Sequence, residues 1–323
     1  MTTLQRRQLL QAGCGLAAAL AAPMLRAQGS YPGGPIRIVI TVPAGGGHDS
    51  MMRLVGTKLT EAWGQPCIVD SKPGASGAIA AVQVARSAPD GLTMLLTNSN
   101  FLSTTILQPS AGYKTSDFVP VSMQVLTPIA IGVRSSLGVN TIQEWVALAK
   151  RQPGKLTYGS YGQGSGGHFV GEQLNAAAGI DTIHVPYKGE APAIQDVLGG
   201  QVDAVIASLG GASRHPGKIK ALAIASPTRF PVYNDVPTFA ESGLSEVNMP
   251  GWGGVFLPAA TPKPIVERLA NELNRVIMLP DVQAKMLELG FESVGWGPAK
   301  LQSFLDEQLV KTRKLVDTGR VKL

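Results

Sequence analysis

The sequence predicts an α/β fold with largely parallel sheets, divided between two lobes. Three observations carry that prediction. Strand-like and helix-like segments alternate almost from end to end, the pattern of βαβ units. Several strand runs are apolar on consecutive positions, as strands are when helices cover both sheet faces. The chain has 323 residues, about twice the usual size of one domain.

The N-terminal segment reads as an export signal over residues 1–27. Arg6 and Arg7 start it, "LLQAGCGLAAALAAPML" forms a short apolar stretch, and "LRA" precedes the cleavage position. The arginine pair also has the twin-arginine form of a folded-state export route. Gln11 and Pro23 interrupt the stretch, which is shorter than the roughly 20 apolar residues of a membrane-spanning helix. Removing Arg6, Arg7 and Arg26 takes the 28 basic residues to 25, against 22 acidic ones. A net charge near +3 without a Lys/Arg cluster is not a nucleic-acid footprint. Cys67 is the one cysteine left after cleavage, so no internal disulfide forms and stability rests on packing.

From there strands are expected at Ile36–Val42, Cys67–Val69, Thr93–Thr97, Ile129–Val133, Leu156–Gly159, Thr182–Val185, Ala204–Ala207 and Ala221–Ala225. The first runs through Gly45, Gly46 and Gly47 into a segment with apolar residues at Met52, Val55 and Leu59, which is helical spacing. "NTIQEWVALAK" opens a helix with Thr141 and Glu144 as a capping box. "TPKPIVERLANELNRVIM" opens one with proline at its start, where a missing amide hydrogen does no harm. The tail, with Leu301, Phe304, Leu305, Leu309 and Leu315 roughly on one face, reads as a long amphipathic helix.

One theme occurs twice. "LTYGSYGQGSGGHFVGEQL" repeats the opening order of strand, glycine turn and helix, with His168 at the helix start. A helix start leaves about four amides without partners and carries roughly half a positive charge. Glycine lets a ligand approach those amides, because no β-carbon stands in the way. Two such starts facing one cleft would hold an acid at both ends. The plainer alternative is that both are ordinary strand-to-helix turns, with Asp49 serving as a helix cap.

Other chemistries find no pattern. "GQGSGG" is not a complete G-x-G-x-x-G, no phosphate-loop G-x-x-x-x-G-K-[ST] occurs, and Ser165 does not sit in G-x-S-x-G. His48, His168, His184 and His215 lack metal-ligand spacing. No cofactor or metal is implied, and no nucleophile, base and orienting acid assemble into an enzyme site.

The ordered motifs "YPGGPIRIVITVPAGGGHDSMMR", "GQPCIVDSKPGASGAIAA", "APDGLTMLL", "DFVPVSM", "PGKLTYGSYGQGSGGHFVGE", "HVPYKGEAPAIQDVLGGQVDAV", "KALAIAS", "DVPTFAESG" and "WGGVFLPAATPKPIVERL" closely resemble the Bug-type solute receptors of tripartite tricarboxylate transporters. The resemblance covers nearly all of the chain after the signal. It implies a periplasmic, type II binding protein of the Venus-flytrap kind, a monomer with a mainly parallel sheet in each lobe. Lobe one is expected at 28–130 and 252–323, and lobe two at 131–251.

The same resemblance implies a small carboxylate ligand (a di- or tricarboxylate, an acidic amino acid or an aromatic acid) and membrane subunits as partners. Signalling to a sensor kinase is the alternative output. Carried over by motif, the ligand positions are Ala44, Gly45, Gly46, Gly47 and Asp49 in lobe one, and Ser165, Gly166, Gly167 and His168 in lobe two. Ser99, Asn100, Tyr187, Lys188 and Ser208 are specificity candidates by position and chemistry. Lys188 either pairs with a distal carboxylate or serves its loop. His48 departs from the small residue usual in the family.

Overall fold

The computed structural model describes residues 31–317, Gly319 and Val321. The expected export signal, residues 1–27, lies outside them. The strands are β1 (Ile36–Ile40), β2 (Cys67–Ser71), β3 (Thr93–Thr97), β4 (Phe118–Thr127), β5 (Ile129–Arg134), β6 (Thr157–Ser160), β7 (Ile183–Pro186), β8 (Ala204–Ser208), β9 (Ile219–Ala225), β10 (Gly251–Pro258) and β11 (Glu292–Trp296). The helices are α1 (Gly47–Trp63), α2 (Ala78–Ala85), α3 (Asn100–Leu107), α4 (Ile142–Arg151), α5 (Gly166–Ala178), α6 (Glu190–Leu198), α7 (Leu209–Ser213), α8 (Lys263–Ile277), α9 (Pro280–Glu288) and α10 (Pro298–Asp317).

Two sheets form, in the orders β11-β4-β10-β3-β1-β2 and β7-β6-β8-β5-β9. In the first, β1 pairs in parallel with β2 and β3, while β10 runs antiparallel to both β3 and β4, and β11 antiparallel to β4. In the second, β6 pairs in parallel with β7 and β8, and β5 runs antiparallel to β8 and β9. Only β10 and β11 oppose the common direction of the first sheet, and only β5 that of the second. The chain leaves the first sheet at Thr127, enters the second at Ile129 after a single proline, and returns at Gly251.

Each sheet has its own core. Val39, Leu95, Phe101, Met123, Trp252 and Phe256 pack together in the first with Leu301 and Leu305 of α10. Ile131, Trp145, Tyr158, Phe169, Leu174, Ile206 and Phe239 do so in the second. The end of α10 and Val321 beyond it cross over, because Leu315, Val316 and Val321 pack with the second core. The strand stretches β4, β10 and β11, which sequence periodicity did not single out, therefore complete the first sheet and tie it to the second.

Helix starts follow local chemistry. At α4, Thr141 Oγ1 accepts from the Glu144 amide at 3.2 Å, and the Glu144 carboxylate accepts in return from the Asn140 amide at 2.6 Å. The reciprocal bond thus falls one residue ahead of the expected capping box. α8 begins behind Pro262 as expected.

Candidate functional site

The C-terminal ends of the parallel strands of both sheets converge on one cleft of about 240 Å³. The turn after β1 contributes Thr41–Ala44 and Gly46–His48, the turn after β2 contributes Pro73–Gly77, and the turn after β3 contributes Asn98–Asn100. From the second sheet come Tyr161–Gln163 after β6, Pro186–Ala191 after β7, and Ser208 of β8. Thr127, Ile129, Gly251 and Trp252, where the chain passes between sheets, close the floor. A crevice beyond the carboxyl ends of strands is the usual ligand position of open α/β sheets.

The two halves touch around this space. Ser76 Oγ donates to the Gln163 carbonyl at 3.2 Å, and Ser103 Oγ to the Gly164 carbonyl at 2.5 Å. A methyl group on Gly189 would come within 2.8 Å of Pro43 Cγ. Ala75 and Ser76 hold φ of 46° and 50°, a left-handed conformation costly for residues with a β-carbon.

The start of α1 opens onto the cavity without a side-chain cap. Gly46 occupies the cap position with φ −77° and makes no side-chain hydrogen bond. Asp49 turns away from the cavity: its Oδ2 accepts from the Gly45 amide at 2.9 Å, and its carboxylate pairs with Arg53 at 2.9 Å. That ion pair spans one helical turn and fixes the loop. The amides of Gly46, Gly47 and His48 are left to serve whatever lies in the cavity.

The second module is built differently. Ser165 caps α5 by accepting from the His168 amide, and the Gly166 amide donates to Ser99 Oγ at 3.1 Å. The Tyr161 hydroxyl also accepts from the Gly166 and Gly167 amides. The amides of α5 are therefore taken up by two hydroxyl oxygens on the cavity wall, which also bond to each other. His168 accepts from the Gly164 amide at 3.0 Å and stacks on His184 with centroids 3.8 Å apart.

Of the residues expected from sequence, Ala44, Gly46, Gly47, Ser99, Asn100, Tyr187, Lys188 and Ser208 stand on the wall. The structure does not place Gly45, Asp49, Ser165, Gly166, Gly167 or His168 there. The reason is steric in lobe two, where the Tyr161 ring and Ser99 stand against Gly166. Tyr187 reaches the wall, but its hydroxyl donates to Asp196 Oδ2 at 2.7 Å. Sequence reasoning missed Tyr161, Glu190 and the turn at 73–77. "KPGASGA" carries the same strand, glycine turn and helix order as the two modules it did single out.

Among the described residues, Lys188 and Glu190 are the charged side chains on the wall. Glu190 Oε1 accepts from the Ser208 amide and Oε2 from Ser208 Oγ, both at 2.8 Å. Burial pushes its carboxyl above the usual range, against the pull of the Ser208 bonds and the field of Arg214. His48 packs on Phe291 with centroids 5.0 Å apart, and burial lowers it to about 4, only partly offset by the Trp252 carbonyl. It is neutral at pH 7 and supplies no cation. Thr41 Oγ1, His48 Nε2, Asn100 Oδ1 and Thr127 Oγ1, all of wall residues, are buried without a hydrogen-bond partner.

No group of His, Cys, Asp and Glu among the described residues has metal-site geometry. No described helix is long and apolar enough to cross a membrane.

A two-lobed α/β chain whose strand ends meet around a small cleft has the architecture of a solute-binding protein. The family model for the tripartite tricarboxylate transporter family receptor matches residues 51–320, and the chain belongs to that family. It is 32% identical to protein BugT of Bordetella pertussis (strain Tohama I) over 308 residues, covering 94% of each chain. Among solved structures, R. palustris Rpa4515 with adipate superposes with TM-score 0.86 at 29% identity, covering 90% of this chain and 99% of that one. MatC from Rhodopseudomonas palustris with bound malate gives TM-score 0.82 at 29% identity, covering 88% and 100%.

Proposed function

We propose that this chain is the exported receptor of a tripartite transporter, capturing a small carboxylate between its lobes and delivering it to the membrane subunits. The observation that carries the reading is the uncapped start of α1, where Gly46, Gly47 and His48 line a cleft of about 240 Å³. Backbone amides at a helix start favour an anion through both hydrogen bonds and the helix dipole. Tyr161 brings a hydroxyl from the second sheet, and Lys188 is the cation on the wall. The solved relatives that hold adipate and malate support a carboxylate as ligand.

The lobes in this reading are 28–130 with 252–323, and 131–251, joined at Thr127–Ile129, at the return to β10 and along the end of α10. The residues proposed to meet ligand directly are Ala44, Gly46, Gly47, Ser99, Asn100, Lys188 and Ser208, together with Tyr161. Ser165, Gly166, Gly167 and His168 act behind Tyr161 and Ser99, while Gly45 and Asp49 shape the first turn. The protein works as a monomer in the periplasm.

A thermal-shift panel of mono-, di- and tricarboxylates, amino acids, aromatic acids and neutral controls tests this. A binder stabilises the fold by RT ln(1 + [L]/Kd), about 2.7 kcal/mol at one hundred times Kd. Acids should raise Tm and neutral analogues should not. A panel in which only neutral compounds shift Tm refutes the proposal.

A further inference from the structure

Glu190 is an unusual group for a cavity built to take an anion. It opens α6 behind Gly189 and reaches the strand end at Ser208, so that each of its oxygens accepts one hydrogen bond from Ser208. An ionised carboxylate has about four acceptor positions, and Ser208 occupies two. Among the described residues no ion pair forms with it, and Arg214 acts on it only through space. A half-buried carboxylate on a cavity wall, without a paired cation, carries a desolvation cost. The cost is recovered when a bound ligand brings the positive charge.

A second feature points the same way. Asn100 is 6% exposed, lines the cavity, and its Oδ1 has no donor. An anion cannot satisfy an acceptor. The wall therefore offers amides and Lys188 for negative charge, and Glu190 and Asn100 Oδ1 for a hydrogen-bond donor. Its charge pattern is that of a zwitterion's complement.

We propose that Glu190 recognises a protonated amine, so that the preferred ligand is an amino-bearing carboxylate and an unsubstituted di- or tricarboxylate is disfavoured. This rests on the receptor reading above and narrows its ligand class. The carboxylate lies at the start of α1, and the ammonium donates to the free acceptor positions of Glu190. The same carboxylate repels a second unneutralised acid group placed near Ser208.

Calorimetric titration of the purified chain with matched series tests it: succinate, malate and aspartate; glutarate, 2-hydroxyglutarate and glutamate; propionate, lactate and alanine. Within a series the members differ mainly in hydrogen, hydroxyl or ammonium. The amino member should bind at least about tenfold tighter than its unsubstituted parent, the effect of one charge-assisted hydrogen bond. Glu190→Gln should shrink that gap to about threefold or less, while Glu190→Asp, which keeps the charge, retains most of it. Thermal melts of both variants establish that they fold.

Unsubstituted or hydroxy acids that bind as tightly as their amino counterparts overturn this inference and leave the receptor reading intact. So does an amine preference that survives Glu190→Gln in full. If no acid of any series, nor any in the wider panel, binds at all, both readings fall together.

Discussion

Gly46→Ala separates the role of the first glycine turn in binding from any role in folding. Gly46 has φ −77° and ψ 169°, a region open to every L-residue. A β-carbon there would find one atom within 4 Å, the Pro43 carbonyl oxygen at an ordinary 3.6 Å. Alanine is a poorer helix cap than glycine but also restricts the unfolded chain, and these effects oppose one another at about 0.5 to 1 kcal/mol each. Stability should therefore stay within about 0.5 kcal/mol of the parent.

Binding should not. Gly46 lies on the wall, and an added methyl group, with only the Pro43 carbonyl oxygen within 4 Å of it, would take cleft space beside the amides. Losing one charge-assisted hydrogen bond costs about 1.5 to 3 kcal/mol, or about 10- to 150-fold in Kd. Calorimetric titration with the tightest acid of the panel, beside a urea melt, reads both quantities. Unchanged affinity in a folded variant would refute the reasoning that the ligand approaches these amides. Gly47→Ala makes the contrast, because its β-carbon would stand 2.6 Å from Phe291 Cζ in the core and should cost about 1 to 3 kcal/mol of stability.

Tyr161→Phe removes the hydroxyl that accepts from the Gly166 and Gly167 amides; a urea melt should show a loss of about 1 to 3 kcal/mol, and an unchanged midpoint would mean that the amides find another acceptor. Burial lowers His48 and His168 to about 4, and burial together with the field of His168 lowers His184 to about 3. Since these folded-state values lie below the ordinary 6.5, the stability they carry is full above about pH 6.5 and is lost as pH falls through 4 and 3. For His48 the lowering corresponds to at most about 3 kcal/mol, so urea midpoints that stay level from pH 7.5 to 4 would contradict it. Gly210→Ala would drive a β-carbon into the Leu289 carbonyl where α7 meets the end of α9. A loss of about 1 to 3 kcal/mol is expected, read by thermal melting, and no change would mean that this approach is not tight in solution.

The strands that sequence revealed are those with a one-dimensional signature. Ile36–Ile40 is β-branched at every position but Arg37, with three consecutive residues fully buried at its end, and Ala204–Ser208 is buried throughout. The missed strands lack that signature. β10 reads Gly-Trp-Gly-Gly-Val-Phe-Leu-Pro, a composition poor in strand preference, and it is held by β3 on one side and β4 on the other. β4 carries Pro120, Ser122 and Gln124 and pairs through two register shifts. Nothing local announces such strands; their partners, distant in sequence, make them.

The candidate site divides along the same line. The glycine turns after β1 and β6 stand out in sequence because glycine density between a strand and a helix is a local feature. The two turns look alike in sequence, yet in space one start leaves its amides to the cavity while Tyr161 and Ser99 take up those of the other. Ser99 is 67 residues from Gly166. Glu190 is likewise one acid among 22, and it becomes a cavity wall group only because α6 starts beside the end of β8.

What the sequence determined alone was the alternation of elements, the glycine turns that free helix starts, and a weakly charged chain suited to holding a ligand through its backbone. Each follows from steric and hydrogen-bonding preferences acting over a few residues. Which amides stay available, which hydroxyls replace them, and the placing of Glu190 beside Ser208 were decided by tertiary structure. Those depend on where strand ends from two sheets meet, and that meeting is fixed by packing between residues far apart in the chain.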